Sequence, residues 1–150
     1  MMIRKYTKKD KSVLIELLRQ NTPQYFDPSE ESEFEYYLDS ELEDYFVYEN
    51  NTKIIGAGGI NYFLEDKSAR ISWDMVDSKS QGSGIGKKLT QHRINYLKGN
   101  SQIEIIRVRT SQHAYKFYEK MGFKLEKIKR NYWAKNFDMY IMQMKNESNT

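Results

Sequence analysis

The hydrophobic pattern of this chain switches between a period of two residues and a helical period, and the order of the switches predicts its elements. Residues 2–6 read as a first strand. Thr7 and Asp10 approximate a capping box ahead of Val13, Leu14, Leu17 and Leu18, which share one helix face. Pro23 and Pro28 bracket a loop, after which Ser29 can cap a second helix carrying Phe34, Tyr37, Leu38 and Leu42. Residues 45–49 and 53–63 read as strands joined at Asn50 and Asn51; Gly56, Gly58 and Gly59 either weaken the second or let a neighbour approach closely. Residues 69–77 form a fourth strand, followed by a glycine-rich turn and a third helix over 87–98 with Leu89 on its core face. A fifth strand spans 103–109. Ala114, Phe117, Tyr118 and Met121 then recur at helical spacing until Gly122, and residues 123–133 and 138–144 close as an antiparallel pair.

The order β-α-α-β-β-β-α-β-α-β-β predicts an α/β (α+β) fold with one mixed, mostly antiparallel sheet and helices on both faces. A chain of 150 residues is expected to be one domain, 1–150, burying roughly 70% of its unfolded surface. Cysteine is absent, which excludes disulfides, thiolate catalysis and cysteine-based metal sites. His92 and His113 have no partner at ligand spacing, so no metal is expected. Neither a secretory h-region nor an apolar run of membrane-spanning length occurs, so the expectation is a soluble cytoplasmic protein with no membrane partner. Residues 146–150 are polar and expected to fray. The sequence leaves a homodimer open.

The net charge of +3 hides an uneven distribution. Residues 20–52 contain no Lys or Arg but ten acids: Asp27, Glu30, Glu31, Glu33, Glu35, Asp39, Glu41, Glu43, Asp44 and Glu49. Residues 87–135 hold thirteen basic residues against Glu104, Glu119 and Glu126. A basic half suits a polyphosphate ligand and an acidic flap suits a cationic one, although charge runs are often only solvated faces. The acidic stretch argues against nucleic acid as a partner.

Three glycines, Gly82, Gly84 and Gly86, lie between the fourth strand and the third helix. A strand that turns into a helix through glycines leaves backbone N–H groups converging at the positive end of the helix dipole, a cradle for phosphate. The spacing excludes two nucleotide motifs. A dinucleotide fingerprint counted from Gly82 needs glycine where Lys87 stands; a Walker A loop needs glycine and a hydroxyl where Gln81 and Lys88 stand. What remains is a Gln/Arg-x-x-Gly-x-Gly pattern filled by Gln81, Gly84 and Gly86. After the fifth strand comes a second run, Ala114-x-x-Phe117-Tyr118-Glu119-Lys120-x-Gly122-Phe123.

The two runs, in this order and at this distance, resemble the two signatures of the GNAT superfamily of N-acetyltransferases, and the predicted element order is that of the GNAT fold. The resemblance implies acetyl-CoA as cofactor, its pyrophosphate on the amides of Gly82, Ser83, Gly84, Ile85, Gly86 and Lys87, with Gln81 opening the loop. It implies that the preceding strand splays from its neighbour, so that Met75 and Val76 pair with the pantetheine arm and the Val76 N–H polarises the thioester carbonyl. Tyr118 matches the tyrosine that, in many members, protonates the leaving thiolate; a phenol of pKa ~10 can serve a thiol of pKa ~8.5.

Two positions depart from the family. Ser111 stands where an asparagine is common and is left as a candidate pantetheine contact. Arg70 stands where some relatives carry a glutamate base, and it cannot serve as one. Strand alternation places Ser72 and Asp74 on the face of Arg70, making Asp74 a candidate base or amine anchor, alongside an acid from 27–49 or a water chain. The implied function is direct acetyl transfer in a ternary complex to a primary amine, with a small cationic amine as the expected acceptor. The alternatives are a protein N-acetyltransferase and a non-catalytic acyl-CoA sensor or interaction module.

Overall fold

The computed structural model describes residues 2–147. Seven strands, β1 (Met2–Lys5), β2 (Asp44–Asn50), β3 (Lys53–Phe63), β4 (Ser68–Val76), β5 (Ile105–Thr110), β6 (Lys124–Ala134) and β7 (Phe137–Lys145), form one sheet in the order β1-β2-β3-β4-β5-β7-β6. The β4–β5 pair is parallel and every other pair antiparallel. The helices are α1 (Lys11–Gln20), α2 (Glu30–Tyr36), α3 (Ile85–Leu97) and α4 (Tyr115–Lys120), with a π turn over Tyr37–Glu41 continuing α2. This is the predicted order, with boundaries displaced by a residue or two.

The sheet separates two apolar layers. Leu14, Leu17, Leu18 and Phe34 from α1 and α2 pack with Tyr45, Val47, Ala57 and Met75 on one face. Ile85, Leu89, Leu97 and Tyr118 from α3 and α4 pack with Ile60, Ala69, Ile71, Ile106 and Val108 on the other. Amphipathic helices on both sides of a sheet that alternates inward and outward are the arrangement the pattern called for. The chain end is tied down at its first two polar residues: Asn146 donates to the carbonyls of Leu97 and Ile103 at 2.9 and 3.0 Å, and the Gly99 amide donates to Glu147 O at 3.0 Å. The expected fraying is therefore wrong for 146 and 147; residues 148–150 lie outside the described residues.

Two irregularities of β4 build everything that follows. First, it pairs with β5 only from Ser68–Ile105 to Ile71–Val108. Beyond Ile71 the two strands part, while β5 stays paired with β7 as far as Thr110. Second, Ser72 faces Gly59 and Met75 faces Ala57, so three steps on β4 match two on β3. This is a β-bulge, with Trp73 at φ +52° and its carbonyl accepting a hydrogen bond from Tyr45 Oη at 2.8 Å. One inserted residue reverses the parity of the strand. Ala69 and Ile71 point to α3 and α4, yet after the bulge Asp74 points there too and Met75 to the other side. Asp74 is thus on the face opposite Arg70, correcting the simple alternation.

Candidate active site

The gap between β4 and β5 opens a cavity of about 1450 Å³ that runs from the glycine loop to the acidic α2 segment. The loop is folded by Asp77, which is buried. Its amide donates to Ile55 O, its Oδ1 accepts the Lys79 amide and its carbonyl accepts the Ser80 amide, each at 2.8 Å. Gly82 and Gly84 both take φ +86°, and space for a Cβ is open at each, so conformation and not crowding demands glycine there. Gly84 precedes α3, and the Lys88 amide donates to its carbonyl at 3.0 Å. The amides of Ile85, Gly86 and Lys87 come before that first bond and have no acceptor within the helix.

Of the predicted cofactor residues, Gln81, Gly82, Gly84, Ile85, Gly86 and Lys87 line the cavity, as do Met75, Val76, Ser111 and Tyr118. Ser83 does not; its hydroxyl bonds to the Ser80 carbonyl. Gln81 Nε2 donates to Asn21 Oδ1 at 3.0 Å, and Asn21 Nδ2 donates to Val76 O at 3.0 Å, which fastens the loop to the end of α1. Because the Asp77 amide bonds to β3, antiparallel alternation turns the N–H and C=O of Val76 away from β3, towards the gap. Ser111 Oγ accepts the His113 amide at 3.2 Å and its carbonyl accepts those of Ala114 and Tyr115, so this residue starts α4.

Tyr118 and Asp74 meet at the base of the gap. The phenol donates to Asp74 Oδ2, and Arg93 of α3 grips the same carboxylate from its Nη1 and Nη2 at 2.5 and 2.8 Å. Arg93 is 0% exposed. Its Nε donates to Leu89 O and its Nη1 to Gly59 O, both at 3.1 Å, so a buried charge is both paired and hydrogen-bonded. Gly58 makes room for it: a Cβ there would stand 2.7 Å from Cζ of Arg93, so the strand glycines mark close approach. Burial, and then the Asp74 charge, hold the Tyr118 phenol well above its ordinary pKa. For Arg93, burial acts to depress the pKa and the charge and bonds of Asp74 outweigh it.

The far end of the cavity is framed by Trp73, packed 5.0 Å from Phe34 and 5.9 Å from Phe26, and by acids of the 27–49 segment. Glu30 is the buried one among them. Its Oε2 accepts the Asp27 amide at 2.8 Å, but burial dominates and pushes its carboxyl up to about 7. Tyr37 puts a buried hydroxyl with no hydrogen-bond partner among the described residues beside this wall. His113 is an exposed cavity residue, and His92 packs edge-on against Phe46 on the α3 side; among the described residues no cluster fit to hold a metal ion occurs.

Arg93 and Glu30 were not singled out by sequence reasoning. Arg93 had a signal: it continues the i, i+4 series Ile85, Leu89, Leu97 at a core position of α3, where an arginine requires a buried anion. Glu30 had none beyond its place in an acidic run.

No curated protein sequence matches the chain. Solved structures with the same fold do. The ribosomal-protein-S18-alanine N-acetyltransferase from Escherichia coli superposes with a TM-score of 0.81 at 20% identity, covering 99% of this chain and 96% of that one. An aminoglycoside 6'-N-acetyltransferase complexed with coenzyme A gives 0.77 at 18% identity, over 100% and 99%. An N-acetyltransferase from Staphylococcus aureus Mu50 gives 0.75 at 19% identity, over 97% and 98%. The family described as "Acetyltransferase (GNAT) domain" matches residues 8–146, nearly the whole chain that carries the splayed strands and the glycine loop. The protein belongs to the GNAT acetyltransferase family.

Proposed function

We propose that this chain is a single-domain, cytoplasmic N-acetyltransferase that uses acetyl-CoA and acetylates a primary amine directly, in a ternary complex. The observation that carries this reading is the continuity of the cavity: one end is the glycine loop and the other an acidic wall, with the β4–β5 gap between them. The fit to the cofactor is local. Gly82 and Gly84 keep the loop free of side chains where a diphosphate would approach, and the amides at the start of α3 supply donors for it. Bound there, acetyl-CoA would supply the activated acetyl thioester.

The chain's own groups then have distinct tasks. The Val76 N–H, turned to the gap, is a donor for a carbonyl oxygen on which charge builds. Tyr118 keeps its proton across the neutral range and is the donor for a leaving sulfur once its hydrogen bond to Asp74 passes to that sulfur, with Arg93 offsetting part of the cost of the phenolate. Asp74, engaged by Arg93 and Tyr118, positions that phenol. Glu30, from the acidic segment, is the better base: a carboxyl near 7 accepts protons efficiently at neutral pH. The acids around it favour an acceptor presenting an ammonium group.

The test is a calorimetric titration with acetyl-CoA together with thiol release from acetyl-CoA across an amine library. Binding and turnover with some primary amine are expected. No heat and no protection against melting would overturn the reading.

A further inference from the structure

The seven arginines of this chain divide into two groups. Arg4, Arg19, Arg93, Arg107 and Arg130 each have a carboxylate within ion-pair distance. Arg70 and Arg109 have none among the described residues, and these two line the cavity. They stand on one face of the sheet. Arg70 lies opposite Arg107 in the β4–β5 register, and Ile106 and Val108 point to α3, so Arg107 and Arg109 share the face of Arg70 and Ser72. Arg107 is neutralised by Glu126 at 3.4 Å; its neighbours are not.

Both free guanidiniums are held in place by aromatic rings. Arg70 lies over Phe63 at 4.7 Å from the ring centre. Arg109 lies over Trp133 at 5.4 Å and donates to Tyr132 Oη at 3.3 Å. These cation–ring contacts fix the two guanidiniums where both residues line the cavity. Arg70 is half-buried, and that burial, with Arg109 as a like charge nearby, pushes it down to about 10. Two half-buried cations side by side, with no carboxylate at ion-pair distance among the described residues and only the more distant charge of Glu41 acting on Arg70, are an unfavourable arrangement, relieved when an anion bridges them. Glu30, Glu33, Glu41 and Glu43 line the same cavity, Glu43 accepting from Asn61, the β3 register partner of Arg70.

Building on the acetyltransferase reading, we infer that the acceptor is an amine that also carries an anionic group, a carboxylate or a phosphoryl, seated on Arg70 and Arg109 while its ammonium faces the acidic wall. Arginine at 70, where some relatives carry a glutamate base, then selects the substrate. Amino acids and phosphorylated amines have this chemistry; simple polyamines do not.

The experiment compares matched acceptors: amino acids against their amides, and phosphoethanolamine against ethanolamine. It reads thiol release from acetyl-CoA and, by calorimetry with coenzyme A present, binding. Anionic members are expected to exceed their neutral partners by about tenfold or more in kcat/KM. Arg70→Gln should remove that preference through acceptor KM, leave the KM for acetyl-CoA unchanged, and be partly rescued by Arg70→Lys; Arg109→Gln should weaken it independently. Whether carboxylates or phosphoryl compounds lead identifies the source of the anion. Equal use of amides and acids, an intact preference in Arg70→Gln, or no heat from any anionic amine would overturn the inference. Loss of acetyl-CoA binding by the wild type would instead overturn the acetyltransferase reading on which it rests.

Discussion

Tyr118 donates its phenolic proton to Oδ2 of Asp74, a carboxylate whose two oxygens are also gripped by Arg93. A proton shared in this way is not yet aimed at a ligand. For Tyr118 to protonate a leaving sulfur its hydrogen bond has to pass from Asp74 to the sulfur. The positive charge of Arg93 offsets only part of the cost of a phenolate beside a carboxylate, since burial and Asp74 still hold the phenol above its ordinary pKa. Tyr118→Phe is therefore expected to lower turnover on the order of 10²-fold with the KM for acetyl-CoA little changed. Steady-state kinetics checks it; turnover within a few-fold of wild type would reduce Tyr118 to a packing residue.

The Arg93–Asp74 pair should behave as a unit. Arg93→Leu strands a carboxylate against the α3 layer and is expected to destabilise the fold by about 3–5 kcal/mol in urea unfolding. Replacing both partners, Arg93→Leu with Asp74→Leu, should recover much of that loss, because no unpaired charge remains. A double variant as unstable as the single one would show that the charge pair is not the cause.

Gly58 is a sensitive reporter of the same packing. Gly58→Ala sets a methyl 2.7 Å from the guanidinium carbon of a side chain whose bonds leave it no freedom to retreat. A loss of about 1–3 kcal/mol is expected from overpacking. Unchanged thermal stability would count against the rigidity of Arg93.

At the loop, Gly84→Asp meets no steric obstacle but forces an L-residue to φ +86° and adds a negative charge beside the α3 amides. The variant should fold and lose the stabilisation by acetyl-CoA seen in melting curves. Retained stabilisation would remove the loop from the cofactor site.

Glu30 links activity to pH with a definite sign. If it takes the acceptor's proton, kcat/KM should rise as pH climbs through about 7, and Glu30→Gln should abolish that limb. Stability should move the other way. The unfolded carboxyl titrates near 4.5 and the folded one near 7, so between these values the native state holds a proton that the unfolded state has lost. Stability contributed by the protonated form is therefore lost as pH rises across that window. Above it, Glu30→Gln should be the more stable protein and the less active one. A pH–rate profile and melting curves at pH 5 and about 8 decide both points.

The element order, the two apolar layers and the glycine loop were legible from the chain alone, because each rests on local chemistry: hydrophobic period, capping residues and the conformations open to glycine. Tyr118, by contrast, is singled out by the resemblance of the second run to a family signature. What the linear pattern could not contain is the bulge at Trp73. A single inserted residue, held by a hydrogen bond from Tyr45 on a strand distant in sequence, turns Asp74 from the Arg70 face to the Arg93 face. Arg93, Glu30 and the unpaired Arg70 and Arg109 acquire their character only from what surrounds them. Charge partners, burial and the width of the gap between β4 and β5 are properties of packing across the sheet, and only the tertiary structure decides them.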